Sequence, residues 1–324
     1  MWTTALQFVL SAFATIVAAR WLARSADRLA KTYGLSHVFV GSLFLAAATS
    51  SPELFVDLEA TSKGNADLAS GDLLGSSLVN LAIFAVLSLF IPGEERMPPA
   101  RPVRGLTFLA ALLTAQVGAY IALRLPGQVA GLHWGSVLLG VTYLAGIRIL
   151  FRGGTLKEAG QGPVGRRRAG AAFLGLASGA TVLFVAAPYL VRSVERIGIA
   201  TGLGNTFMGT TLMAFTTSLP ELASSVAALR LGTAAMAAGN LVGSNAFNML
   251  IFSAMDALWT GGDLWEQIPR RHAVTAGVVI LNLTVFCVLM MRTRAGRRQR
   301  IAAAIVILAL TMLSYGVLYR LRSL

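Results

Sequence analysis

The chain has 324 residues, 56% of them hydrophobic and 13% charged, and Lys and Arg outnumber Asp and Glu by 27 to 14. So little charge in so long a chain excludes an ordinary soluble globule, and recurring apolar runs of about 20 residues indicate a polytopic helical membrane protein. The net charge of +13 sits in short segments between those runs, which reports membrane topology rather than nucleic-acid binding.

Ten spans are expected, over 2–22, 36–60, 66–91, 104–123, 129–150, 170–192, 203–228, 234–258, 272–291 and 301–319. The first lacks a basic flank before it and a cleavage site after it, so it reads as a membrane helix rather than a signal segment. Residues 153–168 form a polar, Gly-rich connection too short for a folded domain. It separates a first set of five spans, 1–152, from a second, 169–324, and an odd number of spans per half inverts the second half relative to the first. The loops after spans 1, 3, 5, 7 and 9 hold 19 of the 27 basic residues, among them Arg20, Arg24, Arg28 and Lys31. That bias places both termini outside and the 153–168 linker in the cytoplasm. His37, His133 and His272 fall at span ends and read as interfacial residues. Cys287 stands alone in an apolar run, which excludes a disulfide framework or a thiolate metal cluster.

Residues 41–84 and 209–252 are one segment written twice, 168 positions apart, agreeing at 18 of 44 positions. Each copy carries one glutamate in an apolar stretch, Glu53 in Thr49-Ser50-Ser51-Pro52-Glu53 and Glu221 in Thr217-Ser218-Leu219-Pro220-Glu221. A carboxylate in hydrocarbon is costly and marks function. No basic residue lies in either segment's core, so an external cation or a proton must compensate the pair. Pro52 and Pro220 should free the carbonyls near Ala48 and Thr216. The hydroxyls of Thr49, Ser50, Thr217 and Ser218 gather at the same break. This offers only oxygen atoms, the ligand type of hard cations such as Ca²⁺ and Na⁺. Downstream, Ser76 and Asn80, like Ser244 and Asn248, are four residues apart and share a helix face. Gly71, Gly75, Gly239 and Gly243 permit close helix approach, a packing role that needs no ion.

These segments resemble the two α-repeats of the sodium/calcium exchanger family, whose pattern is G-T-S-x-P-E followed by G-N-x-x-G-S-N-x-x-N/D. The resemblance implies an all-α polytopic fold of ten transmembrane helices in two inverted five-helix repeats, with Ca²⁺ held at the midplane by Glu53 and Glu221 and by oxygens of Thr49 and Thr217. It implies Na⁺ sites drawing on the Ala46 and Ala214 carbonyls, Ser50, Ser218, Ser76 and Ser244, with Asn80 and Asn248 at the centre. It further implies alternating access by sliding of spans 1 and 6. The expected function is Ca²⁺/Na⁺ antiport in a bacterial or archaeal cytoplasmic membrane. The partners are the lipid bilayer and the transported ions, with no cofactor, nucleic acid or obligate protein partner.

Ca²⁺/H⁺ antiport and a passive cation channel stay open as alternatives, although proton-coupled relatives carry G-N-x-x-E where this chain has T-S-x-P-E. An intramembrane protease does not fit. Ala69-Ser70-Gly71-Asp72 lacks the first glycine of G-x-G-D, Leu176-Ala177-Ser178-Gly179 fails G-x-S-G, and H-E-x-x-H is absent. The chain departs from the family pattern at Ala48, Thr216 and Asn248, and most at Asp72, where the family has Asn and the second copy keeps Asn240. Asp57 likewise answers Ser225. Helical rise puts Asp57 about 6 Å from Glu53 and Asp72 about 12 Å from Asn80. With Glu59 and Asp67, these two acids are expected to form an acidic outer vestibule that concentrates divalent cations.

Overall fold

The computed structural model describes residues 2–91, 100–129, 131–152, 166–201, 213–291 and 296–321. In chain order these form α1 (Trp2–Tyr33), α2 (His37–Thr49), α3 (Ser51–Ser62), α4 (Ala66–Ser88) and α5 (Ala100–Leu123). A hairpin follows, β1 (Gln128–Val129) with β2 (Leu132–His133), and then α6 (Trp134–Leu150) and α7 (Arg166–Thr201). The second set comprises α8 (Met213–Thr217), α9 (Leu219–Arg230), α10 (Ala234–Leu258), the short α11 (Leu264–Gln267), α12 (Arg271–Met291) and α13 (Arg297–Leu321).

Among the described residues, seven helices are long and apolar enough to cross a bilayer, or eight if α2 and α3, bent by 43° between Thr49 and Ser51, are one broken span. The expectation of ten spans is finer than this count. α6 is apolar but has only 17 residues, and the first ten residues of the expected 203–228 span lie outside the described residues. Two boundaries also move. α1 runs on to Tyr33, so Arg20, Arg24, Arg28 and Lys31 stand on a helix rather than in a loop. The extension is held by an apolar stripe, Leu22, Ala26, Leu29 and Ala30, buried at helical spacing. Val129, Leu132 and His133, expected to open the fifth span, instead belong to the hairpin, and His133 caps α6 by accepting from the Gly135 amide at 3.0 Å.

The main core joins α4, α5, α10 and α12 through Leu73, Leu113, Leu241, Phe252 and Phe286. A separate cluster ties α1 to α7 and both to α2 and α10 through Leu22, Leu45, Leu176, Leu183 and Met236. α1 packs along α7 and also against α9, whereas α7 packs against α3. Each of these two long helices thus touches the broken element of the other copy. Large apolar side chains such as Trp2, Phe13, Phe108, Leu144 and Leu174 face outward. On a chain of this hydropathy that surface is the one that meets lipid.

The duplication is visible in the backbone. α3 and α9 each have 12 residues and a proline in the first turn, where the missing N–H costs no helical bond. Each ends in a left-handed glycine, Gly64 (φ 77°) or Gly232 (φ 72°), and the next amide bonds back, Asn65 to the Ala60 carbonyl at 2.9 Å and Thr233 to Ala228 at 3.0 Å. α2 contains a π-helical turn over Gly41–Leu45 just before the first motif, a feature that frequently accompanies functional sites. There α2 meets α10 backbone to backbone. A Cβ on Gly243 would lie 2.6 Å from Ser42 Cα, and one on Gly41 would lie 2.5 Å from the Met236 carbonyl.

Candidate functional site: a buried carboxylate cluster at the two helix breaks

The helices break at Ser50 and Ser218, whose φ and ψ are −84°, 11° and −78°, 4°. In the first copy the carbonyl freed by Pro52 is taken up, since Ser51 Oγ donates to the Ala48 oxygen at 2.8 Å. The second copy has Leu219 at the matching position, with no hydroxyl for that purpose.

Four carboxyl groups, those of Glu53, Asp57, Asp72 and Glu221, are fully buried on helices that pack together around the two breaks. None of the four pairs with a Lys, Arg or His among the described residues. Glu221 Oε1 accepts from Ser50 Oγ at 3.0 Å and from Ser244 Oγ at 3.2 Å, while its Oε2 and both oxygens of Glu53 have no partner. Thr49 donates to Asn240 Oδ1 at 3.2 Å, and Thr217 in matching fashion to Asp72 Oδ1 at 3.4 Å. Ser76 lies 3.1 Å from Thr217 Oγ1 and 3.5 Å from the Ala214 carbonyl. The Ala46 carbonyl accepts from Thr49 at 3.3 Å and from the Ser50 amide at 2.8 Å.

Asn80 donates to Asn245 Oδ1 at 3.1 Å, Asn245 to the Ser77 carbonyl at 3.2 Å and Asn248 to the Leu73 carbonyl at 3.5 Å. These bonds cross between copies and leave the amide oxygens of Asn80 and Asn248 unpartnered, together with Ser218 Oγ. Unpaired buried oxygens in one place are expensive in a protein interior unless something fills the site. No three His, Cys, Asp or Glu side chains among the described residues converge as a metal-binding group. A cation at Glu53 and Glu221 would therefore complete its shell from hydroxyl, amide and carbonyl oxygens.

The four acids of the expected vestibule stand in two kinds of surroundings. Asp57 and Asp72 are fully buried. Glu59 pairs with Lys63 at 2.6 Å and Arg192 at 3.5 Å, and Asp67 with Arg271 at 2.6 Å and His272 at 2.7 Å, so these two acids are locally neutralised. A cavity of about 320 Å³ does open beside Glu59, lined also by Val56, Ala60, Leu68, Val191 and Met213. The three histidines lie at helix ends as expected, and they are buried and hydrogen-bonded. His37 reaches Asp27 at 3.1 Å, His133 the Leu125 carbonyl at 2.7 Å, and His272 Asp67. Asn245 was not singled out from the sequence although it stands in a G-S-N triplet of the family pattern. The Tyr315 hydroxyl, 3.4 Å from the Gly75 carbonyl, carries no sequence signal.

The family model for sodium/calcium exchanger protein matches residues 3–151 and 171–319. The chain belongs to the sodium/calcium exchanger family. Among curated relatives, inner membrane protein YrbG of Escherichia coli is 30% identical over 283 residues, 83% of this chain and 82% of its own. Sodium/calcium exchanger MaX1 of Methanosarcina acetivorans is 36% identical over 77 residues, 24% of this chain and 22% of its own. The solved sodium-calcium exchanger NCX_Mj, soaked with Na⁺ and Sr²⁺, superposes with a TM-score of 0.76 at 21% identity over 97% of both chains. That likeness establishes an exchanger fold for this multi-pass membrane protein.

Proposed function

We propose that this chain is a secondary antiporter that moves Ca²⁺ across the membrane in exchange for Na⁺. The observation that carries the reading is the fully buried, unpartnered carboxylate of Glu53 beside Glu221, without a basic side chain to neutralise either. Two carboxylates balance one Ca²⁺, and a cation is the compensation that such a site accepts. A relative and a solved neighbour are themselves sodium/calcium exchangers, which supports Na⁺ as the counter-ion.

In this reading Glu53 and Glu221 hold Ca²⁺ with Thr49 and Thr217. Na⁺ uses the Ala46 and Ala214 carbonyls with Ser50, Ser218, Ser76 and Ser244, and Asn80 and Asn248 sit at the centre. Both ions need the same glutamates, so occupancy by one expels the other. The ten helices form two inverted sets of five, residues 1–152 and 169–324, with both termini outside a bacterial or archaeal cytoplasmic membrane. α1 and α7 slide as a pair across the remainder. Their separate apolar cluster and their crossed contacts with α9 and α3 support that division.

The test is ⁴⁵Ca²⁺ uptake into proteoliposomes under an outward Na⁺ gradient, repeated with a pH gradient in its place. Saturable uptake driven by Na⁺ is expected. Uptake driven only by the pH gradient would assign H⁺ as the counter-ion, and uptake that needs neither would make the chain a channel.

A further inference from the structure

We propose that Asp57 and Asp72 form a second cation position, a staging site for a divalent ion beside the Glu53 and Glu221 pair. The inference deepens the antiport reading and rests on it, since the ion is taken to be the same cargo.

The second copy of the repeat supplies the comparison. There the matching residues are Ser225 and Asn240, and Asn240 Nδ2 donates to Ser225 Oγ at 3.1 Å and to Ser224 Oγ at 3.0 Å. A neutral donor–acceptor pair therefore satisfies this location structurally. In the first copy the same location holds two acids, Asp57 and Asp72, on helices α3 and α4, which pack against each other. Val56 replaces the additional hydroxyl of Ser224. Both oxygens of Asp57 and Oδ2 of Asp72 have no partner, and neither residue has any exposed surface. Two buried acids with three unpartnered oxygens are costly, far more than the Asn–Ser pair they replace.

A divalent cation removes that cost. Two carboxylates offer four hard oxygens and a charge of −2, and water can complete the shell of Ca²⁺, which takes six to eight oxygens. Position fits transit. Asp57 lies one helical turn, about 6 Å, along α3 from Glu53. Its neighbour Val56 and Ala60, three residues on, line the cavity beside Glu59. Along α3, Asp57 thus stands between Glu53 and the Ala60 wall of that cavity. Thr217, bonded to Asp72 and next to Ser76, connects the two positions.

The test separates the sites by charge. In Na⁺-free buffer, ⁴⁵Ca²⁺ equilibrium dialysis on the full chain in detergent should find that Glu53→Gln with Glu221→Gln retains one Ca²⁺ per chain, bound at least tenfold more weakly than in the wild type. Adding Asp57→Ser with Asp72→Asn, which rebuilds the neutral pair of the second copy, should abolish this residual binding. It should also abolish the Ca²⁺-induced rise in melting temperature. Absence of residual binding in the glutamate variant, or its survival after the aspartates are replaced, overturns the second site. Na⁺-driven uptake by the wild type stands or falls separately and decides the antiport reading.

Discussion

The Ser50 hydroxyl stands 3.0 Å from Oε1 of Glu221, although 171 positions separate them in the chain. The break in the first copy thus orients the carboxylate of the second. Thr49 to Asn240 and Thr217 to Asp72 repeat that crossing, so the site is shared between copies rather than present twice.

Neutralising either glutamate should remove transport. Taking one partner from a buried ionic contact costs about 3 kcal/mol or more, which is roughly a hundredfold in Ca²⁺ affinity. Glu53→Gln and Glu221→Gln are each expected to lower Na⁺-driven ⁴⁵Ca²⁺ uptake at subsaturating Ca²⁺ by at least that factor. Uptake within a few fold of wild type would remove the glutamates from the site.

The two serines at the breaks should behave unequally when no ion is bound. Ser50 Oγ donates to Glu221 and Ser218 Oγ has no partner. A hydrogen bond to a carboxylate contributes about 1.5–3 kcal/mol. Thermal unfolding in buffer free of Na⁺ and Ca²⁺ should therefore show a lower Tm for Ser50→Ala and little change for Ser218→Ala. Equal shifts would argue against the crossed bond.

Gly243→Ala should destabilise the fold, because the new methyl would meet the Ser42 backbone at 2.6 Å and backbone cannot rotate away. Overpacking of this kind costs about 1–3 kcal/mol, a fall of roughly 2–6 °C in Tm. Gly277→Ala, on α12 with open space around it, should instead gain up to about 1 kcal/mol from helix propensity. A melting experiment in detergent compares the signs directly.

Glu59 and Asp67 should contribute little to cation capture, because each already faces cationic partners at 2.6 Å. Glu59→Gln with Asp67→Asn is expected to change the KM for Ca²⁺ less than about twofold even at low salt, where the Debye length is about 30 Å at 0.01 M and surface fields reach farthest. A larger rise would favour the acidic vestibule expected from the sequence.

Much of the molecule was legible in the chain. Low charge and apolar runs set the membrane class, and the repeat with its prolines located the breaks at Ser50 and Ser218, where the helices do stop. Glu53 and Glu221 stood out because hydrocarbon penalises a lone carboxylate wherever it falls. These features are local or periodic, and a linear sequence records them directly.

What only the tertiary structure decided is which residues of one copy touch which residues of the other. Sequence spacing gives the positions of Asp57 and Asp72 along their helices, whereas the packing of α3 against α4 decides that both are fully buried. It likewise gave Glu59 and Asp67 their partners on α7 and α12 and carried α1 on to Tyr33. Hydropathy and repeat spacing are properties of one segment at a time. Contacts between residues 138 to 205 positions apart arise only when whole helix faces are fitted together, and fixing them requires the fold.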